Sequence, residues 1–413
     1  MKIAEVIGPP LFLTGLGQTR IIPIAKELVK KGHDICVFSP AAKFEKVEHF
    51  IHEGISVIKT GQYFVSCSDE FGFSKDYKRQ RGAELILGIF TWVFTTIREI
   101  KKFNPDIIQI YTSQPNTLMF LLFARFCFPF TPICIDYDDI YGGEGGTYDY
   151  EQNNPILIKV LDIMEKTFPI LANKLSVCSH FLAEKFSSNV IIPNSVDTEL
   201  LKHRNSSNKE EIERLKQFRV GLGLKPDNKV ILIVSRIKDS YDYDMVIHAV
   251  KKAFTKHKEI KVIIIGDGEG LENLKKITKE ENLEEVVFFK GFVKHINLLR
   301  DYYHISDIGI IPMKARILHL ARCPIKLLEC ISAQLCIIVP DYAECKYILK
   351  NLHNALFYKV GDIDDLASRI VEVLDNPELE NNLKKNLSEI IDTFDHKQVA
   401  CLWDKHLKAV YGV

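Results

Sequence analysis

The sequence predicts an α/β protein built from two doubly wound parallel sheets in tandem. Short β-branched segments alternate with helical segments along most of the 413-residue chain, a pattern typical of parallel sheets with crossover helices. A chain of this length is too long for one compact core. A polar, charged segment at residues 196–228 interrupts the alternation, so we predict a linker there. Two such sheets leave a cleft between the carboxyl ends of their strands.

The first alternating series defines a predicted N-terminal domain at residues 1–195. Its first βαβ unit comprises strand Lys2–Ile7, a helix from Gln18 to Lys31 and strand Asp34–Phe38. The intervening loop contains Gly15 and Gly17, which would let backbone amides approach a phosphate. A tight turn is the alternative interpretation, because Arg20 occupies the third glycine position of the dinucleotide-binding fingerprint.

The rest of this domain repeats the alternation. Strands are predicted at Ile107–Ile110, Ile133–Asp136, Leu175–Cys178 and Val190–Ile192, and helices at Gly82–Lys102, Asn116–Phe126, Pro155–Ala172 and Ser179–Phe186. The first two helices are unusually apolar, with the sequences LILGIFTWVFTTI and LMFLLFARFCF. They are predicted either to cover the sheet as core helices or to contact lipid or a lipid-linked acceptor through an apolar face.

A group of carboxylates follows the strand that ends at Asp136. The sequence DYDDIYGGEGGTYDY places Asp136, Asp138 and Asp139 at the carboxyl end of a parallel strand, where α/β proteins bind ligands. The four glycines that follow indicate a mobile loop. A metal-binding Asp-x-Asp clasp and a solvated acidic turn are the alternatives.

The second series defines a predicted domain at residues 229–390, followed by a C-terminal helix at 391–413 that is expected to pack toward the N-terminal domain. The predicted elements are Val230–Val234, Asp244–Lys256, Ile260–Ile265, Leu271–Glu281, Val286–Phe289, Asn297–Tyr303, Ile308–Pro312, Ile325–Ala333, Cys336–Val339 and Asp362–Leu374. Lys326 and Glu329 share one face near the start of their helix, beside its free N–H groups. This combination suits a ligand with phosphate and sugar hydroxyls, and a surface ion pair is the alternative.

Composition restricts the partners and the compartment. Lys plus Arg equals Asp plus Glu at 54 each, so no global basic field indicates nucleic acid. The ten cysteines are scattered without zinc-ligand spacing, as expected for reduced thiols in the cytosol. The N-terminus reads as a strand rather than a signal peptide, and no run of eighteen apolar residues predicts a transmembrane helix. We therefore expect a cytoplasmic protein, with the inner face of the membrane as an alternative location.

Six segments of the second half occur in the order found in one enzyme family: IIPNSVDTEL, ILIVSRI with MVIHAV, VIIIGDGEGLENLKK, VVFFKGFV, YYHISDIGIIPM and CPIKLLECISAQLCIIV. They resemble the retaining glycosyltransferases of family 4, the glycosyl transferases group 1. The first half is similar only through its glycine loop and LVKKGHDICVFS. The resemblance implies a GT-B fold, with two Rossmann-like domains facing a cleft. It places the N-terminal domain on the acceptor side and implies that the C-terminal domain binds the nucleotide-sugar.

The resemblance also implies an activity. A hexose would move from a nucleotide-diphosphate sugar to a glycan or lipid-linked acceptor, with retention of anomeric configuration and no metal or other cofactor. Cell-envelope polysaccharide biosynthesis is the implied setting. A non-catalytic relative that binds nucleotide-sugars and a GT-B-like sugar-nucleotide epimerase are the alternatives.

Site roles follow from the resemblance. Arg236 matches the arginine that holds the donor diphosphate, where a fixed cation can neutralise charge on the leaving phosphate. Tyr241 occupies the position of a usual lysine, so Lys238 or Lys326 is expected to supply the second cation. Glu329 matches the second glutamate of a paired motif and would take the ribose hydroxyls.

Two further positions depart from the family pattern. Ala321 occupies the position of the first glutamate of the pair, and Asp138 occupies that of a histidine after an N-terminal strand. The predicted catalytic residues are Arg236, Lys326 and Asp138, and the predicted donor-binding residues are Gly15, Gly17, Arg236, Lys238, Val293, Ile325, Lys326 and Glu329. We predict no metal ligands.

Overall fold

The chain folds into two compact units. The computed structural model describes residues 1–11, 16–41, 46–60, 65–66, 78–79, 83–152, 154–202 and 209–412. Unit 1 comprises Met1–Ser195, Leu320–Cys323 and His396–Val413, and unit 2 comprises Val196–His319 and Pro324–Asp395. Each unit contains one large, mainly parallel sheet. The predicted α/β fold class with two parallel-sheet domains is therefore confirmed.

Unit 1 is built on a seven-stranded sheet. Its strands are β1 (Lys2–Ile7), β2 (Asp34–Pro40), β3 (Glu48–His52), β4 (Ile55–Thr60), β7 (Ile107–Tyr111), β8 (Ile133–Tyr137) and β9 (Lys174–Val177), and the short strands β5 (Val65–Ser66) and β6 (Lys78–Arg79) pair with each other. The order in the large sheet is β3-β4-β2-β1-β7-β8-β9. All neighbours are parallel except β3 and β4, which form an antiparallel pair.

Helices cover this sheet. They are α1 (Ile22–Lys30), α2 (Ala83–Phe103), α3 (Pro115–Cys127), α4 (Thr147–Gln152), α5 (Pro155–Thr167) and α6 (His180–Lys185). Their apolar faces supply much of the core of unit 1, because β1, β7 and β8 are buried on both faces of the sheet and expose almost no side-chain surface.

Two predictions for unit 1 need correction. The predicted strand at Val190–Ile192 is wrong, since this segment forms one isolated bridge, from Val177 to Ile191. The predicted helix from Gln18 begins instead as a π-helical turn at Gly17–Ile21, which continues into α1.

Unit 2 is built on a six-stranded sheet. Its strands are β10 (Lys229–Val234), β11 (Ile260–Ile265), β12 (Val287–Phe289), β13 (Ile308–Ile310), β14 (Cys336–Pro340) and β15 (Leu356–Tyr358). The order is β12-β11-β10-β13-β14-β15, and every pair is parallel. A parallel sheet brings the carboxyl ends of its strands to one edge, so the loops that follow β10, β11 and β13 share that edge.

The helices of unit 2 alternate with its strands. They are α7 (Thr198–Leu201), α8 (Lys209–Gly221), α9 (Tyr243–Lys256), α10 (Leu271–Glu280), α11 (Ile296–His304), α12 (Ile317–Leu320), α13 (Ile325–Ser332), α14 (Cys345–Ile348), α15 (Ile363–Asp375) and α16 (Pro377–Asn386). The most important for the site are α9, α11 and α13, because they follow or precede strands at the carboxyl edge.

The last helix, α17 (His396–Tyr411), belongs to unit 1. Its Trp403 is fully buried, with its ring centroid 5.5 Å from that of Tyr111 on β7. Val399, Ala400 and Leu407 of the same helix join the core beside β1 and β2. No helix in the described part of the chain has the length and apolar character needed to cross a membrane.

Candidate active site

The loop after β10 is fixed by close backbone contacts. Gly266 and Gly268, in the loop after β11, have φ angles of +150° and +158°, which side chains rarely adopt. A Cβ at Gly266 would lie 1.8 Å from the Ser235 carbonyl oxygen, and one at Gly268 would lie 2.3 Å from that of Ile237. The GDGEG segment therefore supports the backbone on either side of Arg236.

Two cations on this loop are available to a ligand. Arg236 is exposed and Lys238 is half-buried. No described residue forms a hydrogen bond or an ion pair with either charged group, whereas Lys314 and Arg316 pair with Asp239 at 2.9 and 2.6 Å. A guanidinium and an ammonium on one loop, both without a described partner, suit a phosphate-bearing ligand.

Tyr241, at the position of the family's usual lysine, belongs to an aromatic cluster. Its ring centroid lies 6.3 Å from that of Tyr243 and 5.0 Å from that of His319. The Tyr243 hydroxyl lies 2.5 Å from the Ser235 hydroxyl, which connects the cluster to the loop that carries Arg236. This position stabilises the loop by packing and supplies no positive charge.

Helix α13 pairs two of the predicted site residues with each other. The Lys326 Nζ donates to both carboxylate oxygens of Glu329, at 2.7 and 2.9 Å. Glu329 is only 7% exposed, and the hydroxyl of fully buried Tyr303 donates to its Oε2 at 2.5 Å. Burial, reinforced by the Glu329 charge, raises the pKa of Tyr303 well above its ordinary value, so the phenol stays protonated. A ligand hydroxyl that bound Glu329 would therefore have to replace Lys326.

Arg236 and the start of α13 share one edge of the sheet. Strands β10 and β14 both pair with β13, and α13 leads from the carboxyl edge into β14. Arg236 and Lys326 are thus placed at the same edge without any described hydrogen bond or ion pair between them. Ile325, the first residue of α13, and Val293, in the loop after β12, are half-buried at this edge.

In unit 1, the glycine loop is only partly described. Gly15 lies outside the described residues. Gly17 is buried in the π-helical turn, where a Cβ would meet the Leu11 carbonyl oxygen at 2.1 Å. Close packing against Leu11 therefore accounts for a glycine at residue 17.

Arg20, which interrupts the glycine fingerprint, forms a buried ion pair with Asp136. Its Nε and one terminal nitrogen donate to the two Asp136 oxygens, each at 2.9 Å, and Ser176 donates to Asp136 at 2.7 Å. Burial raises the pKa of Asp136, and the Arg20 guanidinium opposes that rise. Because Asp136 is already engaged, this geometry argues against the Asp-x-Asp metal clasp. The described residues contain no group of three or more His, Cys, Asp or Glu side chains that could hold a metal ion.

Asp138 follows β8 and carries a buried oxygen. Its Oδ1 has no hydrogen-bond partner among the described residues. Burial, and then the neighbouring charge of Asp139, raises the Asp138 pKa to about 7. A carboxyl group that titrates near neutrality at a strand end can exchange a proton or a hydrogen bond with a substrate hydroxyl.

Residue 321, where the family pattern has its first glutamate, is buried. Ala321 is fully buried, and its carbonyl oxygen accepts a hydrogen bond from the Ser179 hydroxyl at 3.0 Å. The next residue, Arg322, donates from two nitrogens to Asp139 Oδ2, at 2.9 and 2.5 Å. Sequence reasoning missed Arg322 and Tyr303, because neither stands at a diagnostic spacing from its partner.

Residues 215–389 match the family described as glycosyl transferases group 1. This match supports a relationship of the chain to the glycosyltransferases. The matched residues include the Arg236 loop, Tyr303 and α13. The chain is 24% identical to the alpha-monoglucosyldiacylglycerol synthase of Acholeplasma laidlawii over 196 residues, which are 48% of this chain and 46% of that protein. The chain thus spans less than half the length of the curated relatives it matches.

Solved structures show the same fold over the whole chain. Sucrose-phosphate synthase from Thermosynechococcus elongatus aligns with a TM-score of 0.76 at 13% identity, covering 100% of both chains. Anabaena HepE in complex with UDP-glucose aligns with a TM-score of 0.69 at 15% identity, covering 99% of this chain and 100% of that one. These structural neighbours are GT-B glycosyltransferases, so the predicted GT-B fold is confirmed.

The buried Arg20–Asp136 pair gives a stability prediction. Arg20→Met and Asp136→Asn should each lower the free energy of unfolding by about 3–5 kcal/mol, because each leaves one buried charge uncompensated. The double variant should lose less than the sum of the two single losses, since it removes both charges. Denaturant unfolding measures all three variants. Lys26→Met, which breaks the exposed ion pair with Glu53, is the control, and an effect of its size in Arg20→Met would contradict the prediction.

Proposed function

We propose that this protein is a retaining hexosyltransferase of glycosyltransferase family 4. It moves a sugar from a nucleotide-diphosphate donor to a glycan or lipid-linked acceptor of the cell envelope. The observation that carries the proposal is the distribution of charge at the carboxyl edge of unit 2. There the charged groups of Arg236 and Lys238 have no partner among the described residues, whereas Lys314 and Arg316 are paired with Asp239. Nucleotide-sugar binding is also supported by the UDP-glucose complex of the structurally similar Anabaena protein.

Charge neutralisation explains how this edge would promote transfer. Negative charge grows on the diphosphate as the bond to the sugar breaks, so preorganised cations stabilise the transition state more than the bound substrate. Arg236 supplies one cation. Glu329 takes the ribose hydroxyls in exchange for its contacts with Lys326, and this exchange releases Lys326 as the second cation. Tyr303 keeps the Glu329 carboxylate in place.

The comparisons favour neither alternative function. An epimerase would convert the donor into a new sugar nucleotide without an acceptor, and a non-catalytic relative would bind the donor without consuming it. Incubation of the protein with UDP-glucose, with and without envelope acceptors, separates all three functions by product analysis. Acceptor-dependent release of UDP is the result expected for a transferase.

The proposed roles give different kinetic effects. Arg236→Ala and Lys326→Ala should lower kcat more than they raise KM, with a loss of about 2.7–4 kcal/mol for removal of one group at a developing charge. Glu329→Gln should mainly raise the donor KM, because ribose hydroxyls do not change during the reaction. Steady-state kinetics on the three variants tests these roles.

Lys314→Ala is the matched control for these kinetics, since it removes a cation from the same edge that is already paired with Asp239. It should react like the wild type. If Lys238→Ala loses activity while Lys326→Ala does not, Lys238 is the second cation. Full activity of Arg236→Ala would place the donor site elsewhere.

Sugar transfer should proceed without a divalent metal. The side-chain cations at this edge can take the electrostatic role that a metal has in other transferases. Turnover measured with and without EDTA is the test. Loss of activity with EDTA and recovery with manganese would contradict the proposal.

Unit 1, the half on the acceptor side in this proposal, also carries an exposed apolar face. We call it the aromatic face and define it as Phe94, Phe126 and Phe130 together with Leu87. Their exposed fractions are 53%, 75%, 97% and 68%. Where α2 packs on α3, the Phe123 ring meets Phe90 edge-on and Phe94 at a tilt, with ring centroids 5.9 and 5.3 Å apart. The opposite side of α2 buries Trp92 and Val93, so this helix covers the core and also presents apolar surface.

Charge next to the aromatic face indicates its partner. The last turns of α2 carry Arg98, Lys101 and Lys102 and one acidic residue, Glu99. Arg98 and Lys102 pair with the Glu99 carboxylate at 3.1 and 2.8 Å, and the segment keeps a net positive charge. Exposed aromatic side chains beside basic residues suit the surface of an anionic bilayer. We propose a cytoplasmic protein in peripheral contact with the inner face of the membrane, and the exposed aromatic face beside basic residues supports the membrane contact.

Vesicle binding tests the aromatic face. Phe126→Ser with Phe130→Ser should weaken co-sedimentation with phosphatidylglycerol vesicles by about a hundredfold or more, given about 1.5–3 kcal/mol for each buried phenylalanine. Val220→Ser removes an apolar side chain of unit 2 that is 70% exposed, and it should have no effect. Equal recovery of the wild type in the supernatant with and without anionic vesicles would contradict the membrane proposal.

A further inference from the structure

The turn after β8 contains two adjacent carboxylates in different states. Asp139 is fully engaged: Oδ1 accepts from the Ile140 N–H at 2.8 Å, and Oδ2 accepts from two nitrogens of Arg322. Asp138 keeps a buried oxygen without a partner in the described part of the chain. An unpaired buried carboxylate oxygen is costly, so its presence at a strand end indicates a ligand group that completes it.

We propose that Arg322 is a positioning residue, which acts through Asp139 to keep the Asp138 carboxylate charged and directed at a substrate hydroxyl. The proposal rests on the sugar-transfer function proposed above, and it adds a residue that has no counterpart among the predicted site residues. Arg322 does not itself contact the substrate in this proposal. It offsets the Asp139 charge and fixes the turn.

The charges around Asp138 determine the direction of the effect. Asp136 and Asp139 lie on its own segment, Arg20 faces it from the turn before α1, and the Cys178 thiol donates to its carbonyl oxygen at 3.2 Å. Tyr141 also faces Asp138 and stays protonated, because burial raises its pKa well above the ordinary value. The charge of Asp139 is therefore the nearby influence on Asp138 that Arg322 moderates.

Removing the Arg322 charge should make Asp138 harder to ionise. Asp139 would then repel a second negative charge more strongly, and the Asp138 pKa would rise above about 7. The carboxylate form would be lost at neutral pH, and the acidic limb of the pH–rate profile would move to higher pH. Removing the Asp139 charge should have the opposite effect.

The Arg322 side chain is 36% exposed, so it can be exchanged for a side chain of similar length. The variants are Arg322→Met, Asp139→Asn, the double variant, and Arg322→Lys as the conservative change. Carboxyl ¹³C NMR on protein labelled at aspartate follows the titration of Asp138, whose resonance is assigned by its loss in Asp138→Asn.

We expect the Asp138 titration to move up by about 1 pH unit in Arg322→Met and to move down in Asp139→Asn. In the double variant, Asp138 should titrate at a lower pH than in Arg322→Met. In Arg322→Lys, it should titrate near the wild-type pH. An unchanged titration in Arg322→Met, or no reversal in the double variant, would overturn the proposal, because a purely structural role predicts neither shift.

The same variants separate this inference from the proposed function. The NMR titration uses the protein without substrate, so it reports the coupling whether or not transfer occurs. If transfer from UDP-glucose is observed, its acidic limb should shift with the NMR titration, and an unshifted limb would overturn the role of Asp138 in the reaction. If the titration behaves as expected but no donor tested is consumed, the coupling stands and the transferase proposal fails.

Discussion

The buried ion pair between Arg20 and Asp136 fixes the architecture of the candidate site in unit 1. Besides its contacts with Asp136, the Arg20 guanidinium donates hydrogen bonds to the carbonyl oxygens of Ile192 and Pro193, at 2.9 and 3.0 Å. One side chain thus ties the turn before α1 to β8 and to the segment after β9. Buried charges are stable only when they are compensated, so these segments keep one arrangement. Asp138, two residues after Asp136, takes its position from that arrangement.

The carboxyl edge of unit 2 is arranged differently. Close contacts hold its backbone, and the charged groups of Arg236 and Lys238 have no partner among the described residues. The backbone approach at Gly266 fixes the loop of Arg236 without using its side chain. Glu329 is too buried to lack a partner, and Lys326 supplies one from the neighbouring helical turn. An ion pair between residues three apart in sequence satisfies the carboxylate and can open again without disturbing the core. The Glu329 carboxylate is thus satisfied by Lys326, and opening of that ion pair would let it accept from a ligand.

The sequence predicted what depends on local pattern. Alternating buried strands and helices predicted the fold class, and the spacing of Lys326 and Glu329 predicted their contact. The half-buried pair of strands β3 and β4 was missed because EHFIH has no continuous apolar run. Contacts between residues far apart in sequence could not be predicted either. Tyr303 lies 26 residues from Glu329, Arg20 lies 116 from Asp136, and Arg322 lies 183 from Asp139. Only the fold brings these partners together.

The two departures from the family pattern are structurally consistent with this distribution of charge. A lysine at residue 241 would lose the ring contacts with Tyr243 and His319, and a glutamate at residue 321 would place a carboxylate where Ala321 is fully buried. Packing thus replaces charge at both positions. In the donor site proposed above, fewer polar groups would remain to meet a donor, so each remaining one would contribute more of the electrostatic stabilisation. Arg236, Lys326 and Glu329 should for that reason tolerate substitution less well than they would in a relative with the complete set.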